Sequence, residues 1–153
     1  VRSVDELFSI WKGSVGGNAT FLLNVPPNRH GLLADAEAEV LARLGEKIAD
    51  FRSRRIEASR EDEGDVVALR FDAPRAVGAV VLEEDIAQGQ RIDEAVVTTC
   101  VDGDVEREIA RVRCVGYRRI ITLETPVTAT HVRVTVTKSR QGFYLADAYG
   151  IEA

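Results

Sequence analysis

The chain has 153 residues, of which 45% are apolar and 29% charged, with a formal net charge of −5 and a pI near 5.1. That balance belongs to a globular protein and excludes intrinsic disorder, because enough apolar side chain exists to offset the entropy of ordering. The acidic charge argues against nucleic acid, which needs a positive face. The longest uncharged stretch, Gly13 to Asn28, holds Asn18, Asn24 and two prolines, so no membrane span or membrane partner is expected.

The hydrophobic period divides the chain in two. In residues 1–55, Val4, Leu7, Phe8 and Trp11 sit at helical spacing, which predicts an amphipathic helix from Ser3 to Lys12 broken by Gly13, Gly16 and Gly17. Ala19 to Val25 is a near-continuous apolar run of strand length, the pattern of a strand covered on both faces. Pro26, Pro27, Asn28 and Gly31 end it. Asp35 is the expected N-cap of a second helix, with Val40, Leu41, Leu44, Ile48 and Phe51 as its buried stripe. Helix, buried strand, loop and helix make one and a half turns of an α/β repeat. A lone parallel strand has no ladder partner. The chain also opens on Val1 and contains no Met, so it reads as a piece of a longer protein.

From about Ile56 the period becomes 2. Val66 to Phe71, Val77 to Glu83, Ala95 to Val101, Glu108 to Cys114, Tyr117 to Glu124, Val132 to Val136 and Tyr144 to Ile151 are the expected strands. Asp102-Gly103 is a hairpin turn signal. Short strands with turns between them indicate an antiparallel β-sandwich. The polar run Arg52 to Glu63 is the expected boundary, part linker and part first strand. Cys100 and Cys114 lie in apolar runs without metal-ligand spacing, so free thiols are expected, with a disulfide left open.

The block from Ser14 through Gly17-Asn18 and Ala19-Thr20-Phe21-Leu22-Leu23 to Asn24-Val25-Pro26-Pro27-Asn28, followed by Gly31, resembles the end of the catalytic barrel in α-L-fucosidases of glycoside hydrolase family 29. The second half resembles the C-terminal domain of the bacterial branch, a galactose-binding-like jelly roll related to discoidin domains. The matching segments are Leu82 to Arg91, Val115 to Ile120, and Val132-Arg133-Val134 leading to Lys138-Ser139-Arg140. The resemblance implies that residues 1–55 are the last α/β unit of a (β/α) barrel and that 56–153 are the sandwich. It implies an enzyme releasing L-fucose from fucosylated oligosaccharides, with α-1,3/1,4 linkages favoured in this branch. The partners implied are the catalytic barrel of the same polypeptide and fucosylated glycans. The family's nucleophile and acid/base carboxylates lie on earlier barrel strands, so no catalytic residue is assigned here. Related sandwiches carry a longer Asp-rich, Trp-containing loop between Ala58 and Val66 that holds a structural calcium in some members. Here Ser59-Arg60-Glu61-Asp62-Glu63-Gly64 is short and lacks Trp, so no cofactor is expected and calcium is left open.

Retaining glycoside hydrolysis uses two carboxyl groups about 5–5.5 Å apart. Glu83, Glu84 and Asp85 are clustered, but neighbours on a strand end point different ways and read as a solvated terminus. Glu61 to Glu63 reads as a charged linker or loop. Asn18, Asn24 and His30 are the expected supports of the barrel rim, with His30 on the side where such barrels place their chemistry. His131 begins a strand with no partner evident from spacing. Glu84, Gln90, Arg91, Tyr117, Arg118 and Arg140 are the candidates for sugar recognition, which needs planar hydrogen-bonding groups and an aromatic face. The competing expectation for Gln90, Arg91 and Arg140 is that they fix loops by bonding to backbone carbonyls. The alternative function is a carbohydrate-binding module for galactose-type glycans without catalysis.

Overall fold

The computed structural model describes residues 2–101 and 105–153, so the Asp102-Gly103 turn expected from sequence lies outside the described residues. Two helices precede six antiparallel strands: α1 (Val4–Ser14), α2 (Asp35–Ser53), β1 (Ser59–Glu63), β2 (Val66–Glu84), β3 (Ile92–Cys100), β4 (Arg107–Arg113), β5 (Arg119–Ser139) and β6 (Leu145–Glu152).

Helix α1 starts in a capping box. The Ser3 hydroxyl accepts from the Glu6 N–H at 3.2 Å, and the Glu6 carboxylate accepts from the Ser3 N–H at 2.8 Å. The helix runs on through Gly13 to Ser14, past the expected end at Lys12. In α2 the N-cap is Ala34, and Asp35 is the first helical residue. There the carboxylate still favours the helix by facing the positive end of its dipole.

Four of the expected strands are two. Val66–Phe71 and Val77–Glu83 form the single strand β2, and the segments beginning at Tyr117 and Val132 form β5. The register slips between Arg70 and Arg75 and again between Val77 and Ala79. Pro74 on β2 and Pro126 on β5 fall at these slips, where proline costs no ladder bond. Each long strand therefore turns a corner and serves two half-sheets. One half is β1, the start of β2, the end of β5, β3 and β4; the other is β6, the end of β2 and the start of β5. The halves enclose one core that includes Leu69, Leu82, Ile92, Val97, Val134 and Leu145. This is an antiparallel β-sandwich whose strands switch sheets at irregular corners.

The end of the polar run, Ser59–Glu63, is the first strand, β1, in a hairpin with β2, so Glu61 to Glu63 are strand and not the charged linker or loop expected of them. Arg60 explains its place. Its guanidinium binds both oxygens of Asp62 at 2.7 and 2.8 Å and donates to the Leu145 carbonyl at 2.6 Å, tying the edge of one half-sheet to β6 of the other. Among the described residues, no group of three or more carboxylate, histidine or cysteine side chains gathers here to hold a calcium ion.

The end of β2 is buried on both faces. Val80 and Leu82 point into the sandwich, and Ala79 and Val81 meet the helices. On that outer face Trp11 and Phe51 pack with Ala79, Val81 and Ile151. Phe8 stacks on Trp11 with ring centroids 5.6 Å apart and meets Phe51 edge-on at 5.9 Å. The apolar run Ala19–Val25 joins no ladder: among the described residues no strand pairs with it. Phe21, Leu23 and Val25 turn toward the helices, and Leu22 is 90% exposed. Among the described residues no helix is long and apolar enough to cross a membrane.

Candidate functional site

The candidate residues fall into two groups at opposite ends of the extended segment. The first group surrounds Asn18, where the chain leaves α1. Asn18 has φ 62, a left-handed conformation that asparagine tolerates better than most residues. Its Nδ2 donates to Gln90 Oε1 at 3.0 Å and to Cys114 Sγ at 3.7 Å, and its Oδ1 accepts from the Tyr117 N–H at 2.8 Å. An isolated bridge between Gly17 and Arg119 runs alongside. A Cβ on Gly16 would stand 2.5 Å from Ile120 Cβ, so the close approach of the two segments needs glycine.

Glu84 is 4% exposed, and its carboxylate accepts from the N–H groups of Arg91 at 2.6 Å, Ile92 at 3.0 Å and Gly116 at 3.0 Å. A buried carboxylate must be compensated in this way. The expected solvated terminus is therefore corrected: Glu84 staples two loops, and only Asp85 is exposed, capping the Ala87 N–H at 2.9 Å. Glu83 is held by Arg118 at 2.7 Å. The Tyr149 hydroxyl reaches the same Glu83 oxygen at 3.4 Å. Burial, and then the Glu83 charge, raise the Tyr149 pKa above its ordinary value of 10.0. Arg55 lies over the Tyr149 ring at 4.1 Å and pairs with Asp147 at 2.6 Å.

Arg91 donates to the Gly142 carbonyl at 2.7 Å, and the Arg140 N–H donates to the Arg91 carbonyl at 3.0 Å. The Arg140 side chain pairs with Asp93 at 3.1 Å. Arg91 thus fixes a loop through a carbonyl, Gln90 holds Asn18, and Arg140 is engaged with Asp93. Tyr117 is 43% exposed and carries Arg118 over its ring at 5.2 Å. Cys100 and Cys114 are free thiols, both partly buried. His131 is within β5, not at a strand start, and its Nδ1 lies 2.8 Å from the Thr130 hydroxyl.

The second group is Asn24, Asn28 and His30. Asn24 and His30 are exposed, and Asn28 Oδ1 accepts from the N–H groups of His30 at 2.9 Å and Leu32 at 3.2 Å. Leu23, Asn24 and Val25 share a hollow with Arg2 just before α1, with Leu7 in its first turns, and with Glu37 and Val40 from the start of α2. At the other end, Asn18 to Phe21 share a groove with Trp11, Val15, Leu44 and Ile48 from the later turns of both helices, and with Ile86 and Tyr117 of the sandwich. The segment therefore runs antiparallel to both helices, and the sandwich meets its starting end through Asn18 and the groove that Ile86 and Tyr117 line. At about 3.3 Å per residue, Asn24 stands about 20 Å from Asn18.

That layout is shared with known proteins. No family model matches the chain. Alpha-L-fucosidase 1 of Arabidopsis thaliana is 25% identical over 88% of this chain, which spans 33% of that protein. A crystal structure described as an alpha-L-fucosidase of Bacteroides thetaiotaomicron superposes with TM-score 0.92 at 25% identity, over 100% of this chain and 35% of that one. The structure of SpGH29 superposes at 0.87 with 25% identity, over 99% of this chain and 40% of that one. This chain is built like the C-terminal part of a family 29 α-L-fucosidase. It spans about a third of the length of the curated relative it matches. A family 32 carbohydrate-binding module of Streptococcus pneumoniae EndoD, 20% identical with TM-score 0.50 over 57% of the chain, shares the sandwich fold.

Sequence reasoning missed the Asn18–Gln90 contact, the Arg60 tie and the Glu83–Arg118–Tyr149 cluster. Their partners are far apart in sequence, 72 residues for Asn18 and Gln90, and no local pattern marks such pairs.

Proposed function

We propose that this chain works as the C-terminal portion of a family 29 α-L-fucosidase, a retaining glycosidase that releases L-fucose from fucosylated oligosaccharides. Residues 1–55 supply the last α/β unit of its catalytic barrel, and residues 56–153 are a discoidin-like sandwich that buttresses it. The observation that carries this reading is the superposition of helices, extended segment and sandwich together on one fucosidase structure at TM-score 0.92.

The geometry supports a buttress role for the sandwich. In (β/α) barrels the chemistry sits at the C-terminal ends of the strands. On this reading the extended segment is a barrel strand, and that end carries Asn24, Asn28 and His30. The sandwich grips the opposite end, through Asn18. It therefore holds the barrel wall and stays away from the reacting sugar. Glu83 and Glu84 cannot serve as the catalytic pair, since one is held by Arg118 and the other by three backbone N–H groups. The reaction's carboxylates come from the barrel of the same polypeptide, and this chain by itself does not turn over substrate.

The test is an aryl α-L-fucoside assay on the 153-residue chain, run beside a calorimetric titration with fucosylated and galactose-containing oligosaccharides. No turnover and no binding fit the buttress. Turnover would refute the assignment of chemistry to the barrel, and binding without turnover would favour a carbohydrate-binding module.

A further inference from the structure

The backbone concentrates unusual conformations at one point. Among the described residues only two that are not glycine have positive φ, Asn18 and Cys114, both at 62°. They are 96 residues apart in sequence, yet the Asn18 Nδ2 donates to the Cys114 sulfur at 3.7 Å. Gly116, at φ 60, adjoins them, and a Cβ there would lie 2.2 Å from the Asn18 amide carbon and nitrogen. Conformations of this kind persist only where the surroundings over-determine them. Here the determinants are the Asn18 amide bonds to Gln90 and to the Tyr117 N–H, and the absence of a side chain on Gly116.

The position of this contact gives it a consequence. Asn18 is the root of a segment that no strand pairs with among the described residues. Its direction rests on the packing of Phe21, Leu23 and Val25 and on how it leaves α1. We propose that Asn18 is a positioning residue: its side-chain amide latches the exit of α1 to the sandwich loops at Gln90, Cys114 and Tyr117, and so sets the course of residues 19–27 and the placement of Asn24, Asn28 and His30. The importance of that far end rests on the fucosidase reading above. The latch itself does not.

Cys114 reports on the latch directly, because its sulfur lies against the Asn18 amide. The experiment measures the rate at which a disulfide reagent such as dithiobis-nitrobenzoate modifies Cys114 in the folded chain, in a Cys100→Ser background. Emission from Trp11, the one tryptophan in the sequence, is read in parallel. Asn18→Gly keeps the left-handed backbone accessible and deletes the side-chain amide, at the cost of a freer backbone. It is expected to raise the Cys114 rate about fivefold, what one net hydrogen bond is worth, and to shift Trp11 emission to the red. Gln90→Ala is expected to act in the same direction by less. The double variant should go no further than Asn18→Gly, because the two residues share one contact. Asn18→Asp keeps the acceptor for the Tyr117 N–H and should fall between wild type and Asn18→Gly, which a general loosening would not produce. Wild-type rate and emission in Asn18→Gly would overturn the proposal, leaving backbone conformation alone to set the segment's course. These rates need no substrate, so their failure is distinguishable from failure of the fucosidase reading.

Discussion

The two ends of the chain bury their apolar residues to very different degrees. In the sandwich, Leu82, Val97 and Val132 are fully enclosed between half-sheets. In the region from α1 to α2, Leu22 is 90% exposed and Leu32 65%. The sandwich pairs its backbone in long ladders interrupted only at the slips, whereas the extended segment has neither edge paired among the described residues. A shared layer joins them, with Trp11 and Phe51 of the helices lying on Ala79 and Val81 of β2. One region is a finished core. The other is anchored to it along one side and open along the other, as a wall segment of a larger assembly would be.

Substitutions can break that contrast, and they are taken here from the largest expected effect downward. Leu82→Ala opens a cavity in the finished core and should cost about 4 kcal/mol in denaturant unfolding, within the range for buried leucines. A cost below about 1 kcal/mol would mean that the core is loosely packed. Glu84→Gln keeps an acceptor for Arg91 and Ile92 but turns an amide NH2 toward the Gly116 N–H. It should cost about 2 kcal/mol, one lost charge-assisted bond with a donor left unpaired. Tyr149→Phe tests the layer between the regions through pH. The folded-state pKa of Tyr149 lies above 10.0, so the folded protein favours the neutral phenol. The stability this contributes is present below about pH 10 and is lost as pH rises through the folded value. Wild type should therefore lose stability more steeply than Tyr149→Phe on the alkaline side, and parallel curves would contradict the assignment. Leu22→Ser, in the open region, should change stability by less than about 0.5 kcal/mol.

Much of the sandwich was legible because period-2 alternation survives on strands with one wet face, as in Val132 to Val136. The corners were not. Pro74 and Pro126 signal strand ends locally, and only the long-range pairing of β2 with β5 shows that the strands continue past them. Strand β1 carries no apolar alternation, so the sequence placed a first strand only loosely, within the polar run 52–63; it forms because Val66 to Arg70 offer it an edge. The run Ala19–Val25 was read as a strand from its apolar continuity. The structure assigns it to no strand and leaves Leu22 exposed, because pairing depends on neighbours that are not local in sequence. Among the site residues, the Arg91 guanidinium donates to the Gly142 carbonyl, the loop contact weighed against sugar recognition. Asn18 was read as a support of the barrel rim, and no spacing rule connects it to Gln90 or Tyr117.

Amide hydrogen exchange on the 153-residue chain tests the contrast most directly, since it reads backbone pairing residue by residue. The account predicts strong protection along β2 and β5 and near-unprotected exchange at the non-proline amides of residues 20–27. Protection of 20–27 comparable to that of β2 would contradict it, because the segment would then have found ladder partners within this chain.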